Sequence, residues 1–388
     1  MKEKPAKKAQ KQNFFFRLIA LLATSALVLG ALLLVVYRDR LNLDALKRWL
    51  SYRTLETSDS GEAAPFTHAG GDSISFACLD SGVLMASTAG ARYYSFSGET
   101  YAEEVFAMEN PVLSASGRAG VVYDAGGQSL FLFRGREEVF DLTLEGDADL
   151  LSARVNDSGW LAVTAQQSGY RGAVTVYNDS GEPVIQISLS STFVVDAALS
   201  PDCTTVAVVT IGQEGGSFSS QVLFYPVDQE EPSAQVNLGN TVTLDLDYED
   251  GLLWVLGEDS LMAVSQEGSV TADYSFGRMH LKGCALGGDG FALLLLGRYQ
   301  SGQASQAVTI DRSGEVTASL DLTGQVLDFD AADSYCSLLT GDALTVYTPY
   351  LEQYARLSPT QGARHTALSS DGSSLLADSQ QAWLYIPG

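Results

Sequence analysis

A short polar turn between two apolar stretches recurs eight times along the chain. The turns carry Asp-Gly, Ser-Gly or similar pairs, which allow the tight backbone of a β-hairpin. The eight segments lie at 78–87, 113–123, 154–164, 198–209, 247–256, 285–296, 330–339 and 367–377. Their average spacing is about 41 residues, which matches a four-stranded blade of a β-propeller. The pattern therefore predicts eight repeat units, each opening with a hairpin of strands A and B.

A second hairpin, of strands C and D, follows the first hairpin within the units. Strand C is rich in β-branched and aromatic residues, and it is recognised at 130–133, 174–177, 222–225, 307–310, 344–347 and 383–386. The eighth unit stops after its third strand, which would leave an unpaired edge. We therefore predict that residues 64–69 supply the missing outer strand and close the ring. Seven blades are the alternative if one unit is irregular.

The N-terminal region contains a candidate membrane span. Residues 18–37 form an uncharged apolar run of twenty residues, long enough for a helix to cross about 30 Å of hydrocarbon. Charged residues follow the run where a cleavable signal peptide would have small ones. An uncleaved signal-anchor is therefore predicted, with a cleaved signal peptide as the alternative. Six bases in the tail 1–17 favour a cytoplasmic N-terminus, which would place the rest of the chain outside the cell.

The segment 38–63 is predicted to connect the span to the propeller. Leu43, Leu46 and Leu50 recur at helical spacing within 39–53, so an amphipathic helix is expected there. Such a helix could lie on the membrane surface or continue the transmembrane helix as a stalk. The propeller itself is assigned to 64–388. The predicted fold class is thus all-β, a β-propeller of eight four-stranded blades preceded by one transmembrane α-helix.

Charge narrows the range of partners. From residue 54 onwards the chain has twelve bases and forty-four acids, a net charge of 12 − 44 = −32. Such a domain repels nucleic acid phosphates and anionic lipid headgroups. Contact with the membrane is therefore expected only through 18–37, in a single-pass protein of the cell membrane with its C-terminal domain extracellular. Nucleic acid is not an expected partner.

No motif in the sequence marks a catalytic, metal or cofactor site. The four cysteines lie far apart, and the three histidines fall in three different units without metal-ligand spacing. Acidic residues do pair along strands, since Asp245 and Asp247 alternate onto one face, as do Asp328 and Asp330. No complete calcium-loop spacing occurs. The sequence therefore predicts no catalytic residues, no metal and no cofactor.

Three of the loops between strands B and C are unusually long, at 166–172, 211–221 and 297–306. If the A–B and C–D turns share one face of the ring, these loops must lie together on the other face. Insertions on one face of a repeat protein often mark its binding surface. The loops carry aromatic and arginine residues of the kind that anchors interfaces. The predicted partner-binding residues are Tyr170, Arg171, Phe218, Arg298 and Tyr299.

The repeat units resemble quinoprotein-like and WD-repeat-like propellers. The chain lacks the Gly-His and Trp-Asp pairs of true WD repeats and the recurrent tryptophans of quinone enzymes. The layout more closely resembles a bacterial domain-of-unknown-function family of single-pass membrane proteins. The similarity rests on the basic tail, the anchor and the segments 42–52, 121–133 and 168–181. It implies the fold and the location, and carries no activity or site residues.

Two functions are compatible with these features. The first is a non-enzymatic scaffold that binds a protein or a cell-envelope polymer with its long loops. The second is an extracellular hydrolase or lyase with a site in the central channel, using inward-facing strand-A residues such as Asp196, Asp245, Lys282 or Asp328. Convergent acids with a histidine would favour the second function, and an apolar, plugged channel would count against it.

Overall fold

A computed structural model describes residues 43–146, 148–249 and 251–388, together with Thr24. The chain divides into two compact units, residues 1–53 and 54–388. The first unit contains helix α1 (Leu43–Tyr52), which coincides with the predicted amphipathic segment. The predicted tail 1–17 and span 18–37 lie outside the described residues, apart from Thr24. In the described part of the chain, no helix is long and apolar enough to span a membrane.

The second unit is a β-propeller of eight four-stranded antiparallel sheets. The prediction of eight blades is confirmed, and the seven-bladed alternative is wrong. In blades 1 to 7, four consecutive strands A to D are hydrogen-bonded in chain order. The regularity follows from the sequence, because each unit contains two hairpin turns at the same spacing.

Blades 1 to 4 are built from sixteen strands. Blade 1 contains β2 (Ser75–Leu79), β3 (Gly82–Ser87), β4 (Gly90–Tyr94) and β5 (Thr100–Glu104). Blade 2 contains β6 (Pro111–Ser116), β7 (Ala119–Asp124), β8 (Ser129–Arg134) and β9 (Glu137–Thr143). Blade 3 contains β10 (Leu150–Val155), β11 (Leu161–Ala165), β12 (Ala173–Tyr177) and β13 (Pro183–Ser188). Blade 4 contains β14 (Phe193–Leu199), β15 (Thr205–Glu214), β16 (Ser217–Pro226) and β17 (Ala234–Gly239).

Blades 5 to 8 contain the remaining strands. Blade 5 contains β18 (Thr243–Glu249), β19 (Leu252–Gly257), β20 (Ser260–Ser265) and β21 (Val270–Ser275). Blade 6 contains β22 (His280–Gly288), β23 (Phe291–Gly297), β24 (Gln306–Asp311) and β25 (Val316–Asp321). Blade 7 contains β26 (Val326–Ala332), β27 (Tyr335–Thr340), β28 (Leu344–Tyr347) and β29 (Gln353–Leu357). Blade 8 contains β30 (His365–Leu368), β31 (Ser374–Ala377), β32 (Gln381–Tyr385) and β1 (Phe66–Thr67).

The two ends of the propeller close the ring in blade 8, as the sequence predicted. Phe66 pairs with Ala382 and Thr67 with Gln381, so β1 is the outer strand beside β32. A further bridge joins Glu62 to Tyr385 and extends the pairing towards the N-terminus. The Phe66 side chain is buried against the Tyr94 ring of blade 1, with centroids 5.5 Å apart. The closure therefore combines backbone pairing with burial of an aromatic ring.

The core lies between neighbouring blades rather than at the centre of the ring. B strands are buried along their whole length, as in β23, because each blade is covered on both faces. D strands such as β17 alternate between buried and exposed residues, since one side faces solvent. The buried cluster between blades 5 and 6 contains Trp254, which is fully buried. Continuous apolar runs thus mark B strands, and alternation marks outer strands.

The strand order gives the propeller two different faces. The A–B and C–D turns lie on one face, which we call the hairpin face. The B–C loops and the connections from D to the next A lie on the opposite face, which we call the long-loop face. Because β1 runs antiparallel to β32, the outer strand of blade 8 begins on the hairpin face.

Candidate functional site

A cavity of about 980 Å³ lies at the centre of the ring. The A strands of all eight blades contribute to its wall, together with several A–B turns. Aspartate and glutamate side chains from blades 5 and 7 converge on it, and the bases on its wall are Arg154 and Arg312. The channel is therefore neither apolar nor plugged. Among the described residues, no group of three or more His, Cys, Asp or Glu side chains is arranged to hold a metal ion.

A recurrent β-bulge lies near the start of strand A, beside this channel. In blades 3 to 7, one residue of strand A is left unpaired close to the start of the strand. A bulge changes the direction of the following side chain. The residues that follow the bulge are Ser152, Asp196, Asp245, Gly283 and Asp328. Three of five equivalent positions thus carry aspartate, although the spacing along the sequence is irregular.

Blade 6 has glycine at this position because its neighbour fills the space. A Cβ atom on Gly283 would collide with the ring of Phe329 in blade 7. Phe329 belongs to the cavity wall. The aromatic ring therefore occupies the volume that an aspartate side chain would need in blade 6.

Arg154 connects three blades across the channel wall. Its Nε and Nη2 atoms donate to Asp196 Oδ2 of blade 4 at 2.9 and 2.7 Å. Nη2 also donates to Asp245 Oδ1 of blade 5 at 2.7 Å, and Nη1 donates to the Leu246 carbonyl at 2.8 Å. Ser152 donates to the second oxygen of Asp196 at 2.6 Å. The guanidinium and both carboxylates therefore have specific partners.

The acids of blade 7 bind the backbone of blade 8. Asp328 Oδ2 accepts from Thr366 N at 2.8 Å, and Asp330 Oδ2 accepts from Leu368 N at 2.7 Å. Strand A has no further strand on its channel side, so these amides would otherwise lack a protein partner. The carboxylates thus link neighbouring inner strands. His365 Nδ1 lies 3.9 Å from Asp328 Oδ2.

Glu249 plays a similar part between blades 5 and 6. Its Oε1 accepts from Gly290 N at 3.0 Å, and its Oε2 accepts from Arg312 Nε at 2.7 Å. Arg312 also donates to Asp289 at 3.1 Å. The charge of Glu249 is therefore balanced at the edge of the channel.

Asp247 differs from the other channel acids. Among the described residues, its Oδ1 accepts from the adjacent Tyr248 N alone, at 3.0 Å. Burial, together with the nearby charge of Glu249, raises the pKa of Asp247 to about 7. Burial likewise raises the pKa of Asp330 to about 7. Two carboxyl groups on one cavity can therefore exchange protons near neutral pH.

The thiols near the channel are unreactive. Burial raises the pKa of the Cys78 and Cys284 thiols well above the ordinary value, and nearby aspartates raise it further. A thiol must lose its proton to act as a nucleophile. Neither cysteine is therefore suited to nucleophilic chemistry at neutral pH.

The four residues that the sequence predicted to face the channel lie in different places in the structure. Asp245 and Asp328 line the cavity, whereas Asp196 lies behind its wall and is held by Arg154. Lys282 points to the long-loop face instead, where its Nζ donates to the Gln300 carbonyl at 2.7 Å. The expectation that Lys282 faces the channel was wrong, because Lys282 is the bulged residue of its strand. Arg154 was not predicted from the sequence. The one signal for it is that Ser152 and Arg154 are polar residues at alternate positions of β10.

The predicted partner-binding residues lie on the long-loop face. Tyr170 is exposed in the B–C loop of blade 3, and the guanidinium of Arg171 covers the ring of Phe193 at 4.5 Å. Phe193 begins the A strand of blade 4 and is itself exposed. This neighbour was not predicted, since it lies in a strand rather than in a long loop. An Arg–aromatic pair at this site joins the loop of one blade to the next blade.

Blade 4 extends this surface with its long hairpin. Phe218 lies at the tip of β15 and β16, opposite Gln213, and 77% of its surface is exposed. Ser220 Oγ donates to the Thr241 carbonyl and fastens the hairpin to the connection into blade 5. In blade 6, Tyr299 is 76% exposed, and Arg298 beside it is also exposed. The five predicted residues therefore share one face, over blades 3, 4 and 6.

Several solved structures are similar to this propeller. The C-terminal WD40 domain of Sif2 aligns with a TM-score of 0.58 and 15% identity, over 83% of this chain and 97% of that chain. The computationally designed Ika8 protein aligns with a TM-score of 0.55 and 11% identity, over 85% and 98%. BamB from Moraxella catarrhalis aligns with a TM-score of 0.50 and 11% identity, over 84% and 99%. At these identities the similarity shows the fold alone.

At the level of sequence, the profile of a family of unknown function, DUF5711, matches residues 51–351. The match begins in helix α1 and extends into blade 7. No curated protein matches the chain.

Proposed function

Because the chain belongs to DUF5711, a family of unknown function, we propose a role from its own geometry. The propeller is a non-enzymatic scaffold that binds a partner with its long-loop face. The fold is consistent with this role, since propellers such as the WD40 domain of Sif2 share it.

One observation carries the proposal. Within the described propeller, five aromatic side chains are exposed to solvent, and four of them lie on the long-loop face. They are Tyr170, Phe193, Phe218 and Tyr299, whereas Tyr350 lies on the hairpin face. Exposed aromatic side chains on one face of a soluble domain are typical of interaction sites.

The rigidity of the blades supports the same role. The loops that carry these side chains start and end in strands that are buried between neighbouring blades. A binding residue on such a scaffold loses little conformational entropy when the partner binds. Insertions confined to one face also leave the core unchanged.

The test is capture of partners by cross-linking in intact cells. Replacing Tyr170, Arg171, Arg298 and Tyr299 together by alanine should abolish capture while the thermal unfolding curve stays unchanged. A control variant with Arg118, Tyr350 and Arg356 changed to alanine alters exposed residues outside the long loops. Equal capture by the wild type and the four-alanine variant would refute the proposal.

We propose that this scaffold is held at the outer surface of the cell membrane by residues 18–37, with a cytoplasmic N-terminus. The support is the length of the uncharged run and the six bases before it. Protease added to intact cells should then degrade the propeller and spare the tail. Protection of the propeller until the cells are lysed would reverse the orientation.

A hydrolase or lyase with its site in the channel is the second candidate. It is favoured by Asp247 and Asp330, whose burial raises each pKa to about 7 in a shared cavity. His365 Nδ1 lies 3.9 Å from Asp328 Oδ2. Most of the other channel acids have structural partners, which counts against a catalytic role. Screening glycosides and esters with the wild type and with Asp247→Asn would decide, since a real activity must be lost in the variant.

A further inference from the structure

Three bases on blade 6 lie together at the edge of the long-loop face. Arg278 precedes β22, Lys282 is the bulged residue of β22, and Arg298 directly follows β23. His280 pairs with Gly297, so the pairing of β22 with β23 brings the three positions to one end of blade 6. We call these three residues the blade-6 basic patch.

The patch is unusual for this domain. From residue 54 onwards there are forty-four acids and twelve bases. Three other bases pair with carboxylates, in Arg92–Glu103, Arg154–Asp196 and Arg312–Glu249. Among the described residues, the patch bases form no ion pair, and the only polar partner of Lys282 is the Gln300 carbonyl. A local positive surface is thus preserved within a strongly negative domain.

The patch is held in a fixed arrangement. Gly297 closely contacts the Lys282 side chain, so a Cβ there would strike the Lys282 stem. The bond from Lys282 Nζ to the Gln300 carbonyl fastens the B–C loop over this stem. Tyr299 lies between Arg298 and Gln300 and is exposed. Charge and an aromatic ring are therefore presented side by side on an anchored loop.

The opposite side of the same face has the reverse charge. A cavity of about 610 Å³ lies beside blade 2, and Glu109, Asp124 and Asp149 line it. No lysine or arginine contributes to this cavity. Blade 2 and blade 6 are four blades apart, across the ring. The long-loop face therefore carries an acidic cavity at blade 2 and three bases at blade 6.

We propose that the blade-6 basic patch binds an acidic peptide segment of a protein partner, which rests on the proposed function of the long-loop face. The three bases pair with carboxylates of that segment, and Tyr299 packs against its side chains.

The composition of the loops favours a protein partner over a glycan. The loops at 166–172, 211–221 and 297–306 are rich in Gly, Ser and Gln, and each carries one aromatic residue. This mixture resembles antibody paratopes, where aromatic rings give contact area and small polar residues adapt to the partner. Arginine adds bidentate recognition of carboxylates. A short segment also avoids most of the surrounding acids, because charge is screened beyond about 8 Å at physiological salt.

The test uses the full chain in uncharged detergent and a fluorescein-labelled oligoglutamate peptide carrying tyrosines. Fluorescence anisotropy should show saturable binding that weakens as salt is raised. The variant Arg278→Glu, Lys282→Glu, Arg298→Glu should bind at least about tenfold more weakly, since each exposed charge contact contributes a part of that factor. The control Arg118→Glu, Arg136→Glu, Arg356→Glu has the same net charge and should bind nearly as well as the wild type.

Three results would overturn the proposal. They are failure of the wild type to bind the peptide, equal weakening in both charge-reversed variants, and tighter binding of polygalacturonate than of the peptide. The last result would indicate an anionic glycan instead. The proposed function is judged separately by cellular capture. If the basic-patch variant still captures its partner and the four-alanine variant does not, the long-loop face binds a partner through other chemistry.

Discussion

Replacing Arg154 by alanine should destabilise the propeller, because the guanidinium holds blades 3, 4 and 5 together. The change removes two hydrogen bonds to Asp196, one to Asp245 and one to the Leu246 carbonyl. It leaves Asp196 as an uncompensated charge that is only 9% exposed. Breaking a fully buried ion pair costs about 3–5 kcal/mol. The Arg154 and Asp245 side chains are 25% and 40% exposed to the channel, so we expect about 3 kcal/mol, at the lower limit.

The loss can be measured as a shift of the thermal midpoint. Unfolding entropy is about 2.1 cal/mol/K per residue, so a unit spanning 54–388 should lose roughly 4 °C for about 3 kcal/mol. Arg118→Ala is the control, since its nearest carboxylate, on Asp80, is 3.9 Å away and both side chains are largely exposed. That change should cost less than about 0.5 kcal/mol. Equal midpoints for the two variants would refute the structural role of Arg154.

A double-mutant cycle separates the Asp196 contact from general damage. Asp196→Asn keeps the shape of the side chain but removes its charge. If the pair is coupled as the geometry indicates, the double variant should be more stable than the sum of the single losses predicts. Strict additivity would show that Arg154 stabilises the ring through packing alone.

Three further predictions concern the channel and the closure. Folding raises the pKa of Asp247 from 3.8 to about 7, so the native state holds the proton more tightly, and this contribution to stability is lost as the pH rises from about 4 to 7. In urea unfolding, the stability of Asp247→Asn relative to the wild type should therefore increase over that pH range. A constant difference in the free energy of unfolding would contradict this prediction. Gly98 has φ +88°, and a Cβ atom there would strike the Phe66 side chain. Gly98→Ala should therefore destabilise the propeller by about 1–3 kcal/mol and speed proteolysis between residues 54 and 69. Unchanged proteolysis would argue against closure of the ring at this contact. Gly283→Asp restores the acid of blades 4, 5 and 7 but collides with Phe329; its thermal midpoint should fall, and the double variant with Phe329→Ala should recover part of the loss.

The sequence predicted the blades because their signals are local. Turn residues and alternating side chains act within a few positions, so the hairpin at 78–87 could be recognised without its neighbours. Closure by 64–69 followed from counting strands, since a missing outer strand needs a partner from the other end. The long-loop face followed from strand direction alone, which fixes the side of every connection.

The exposed aromatic side chains of the long-loop face could be predicted only in part. Tyr170 and Phe218 were predicted because they lie in inserted loops, but Phe193 was not, since nothing in its strand marks it as exposed. Lys282 was expected to face the channel as a strand-A residue, but it is the bulged residue of its strand and points elsewhere. A bulge depends on pairing with the adjacent strand, so its place cannot be read from one strand.

The sequence by itself determined the number of blades, the closing strand, the acidic charge and the face on which the long loops lie. Each of these depends on turn chemistry, strand periodicity or simple counting. Tertiary structure alone decided which charges meet. Arg154 reaches Asp196 and Asp245 across separations of 42 and 91 residues. Within the part of the chain that the structure describes, the blade-6 bases form no ion pair, although acids outnumber bases in the domain. Such pairings depend on the curvature of the ring and on bulges in individual strands, which only the folded chain fixes.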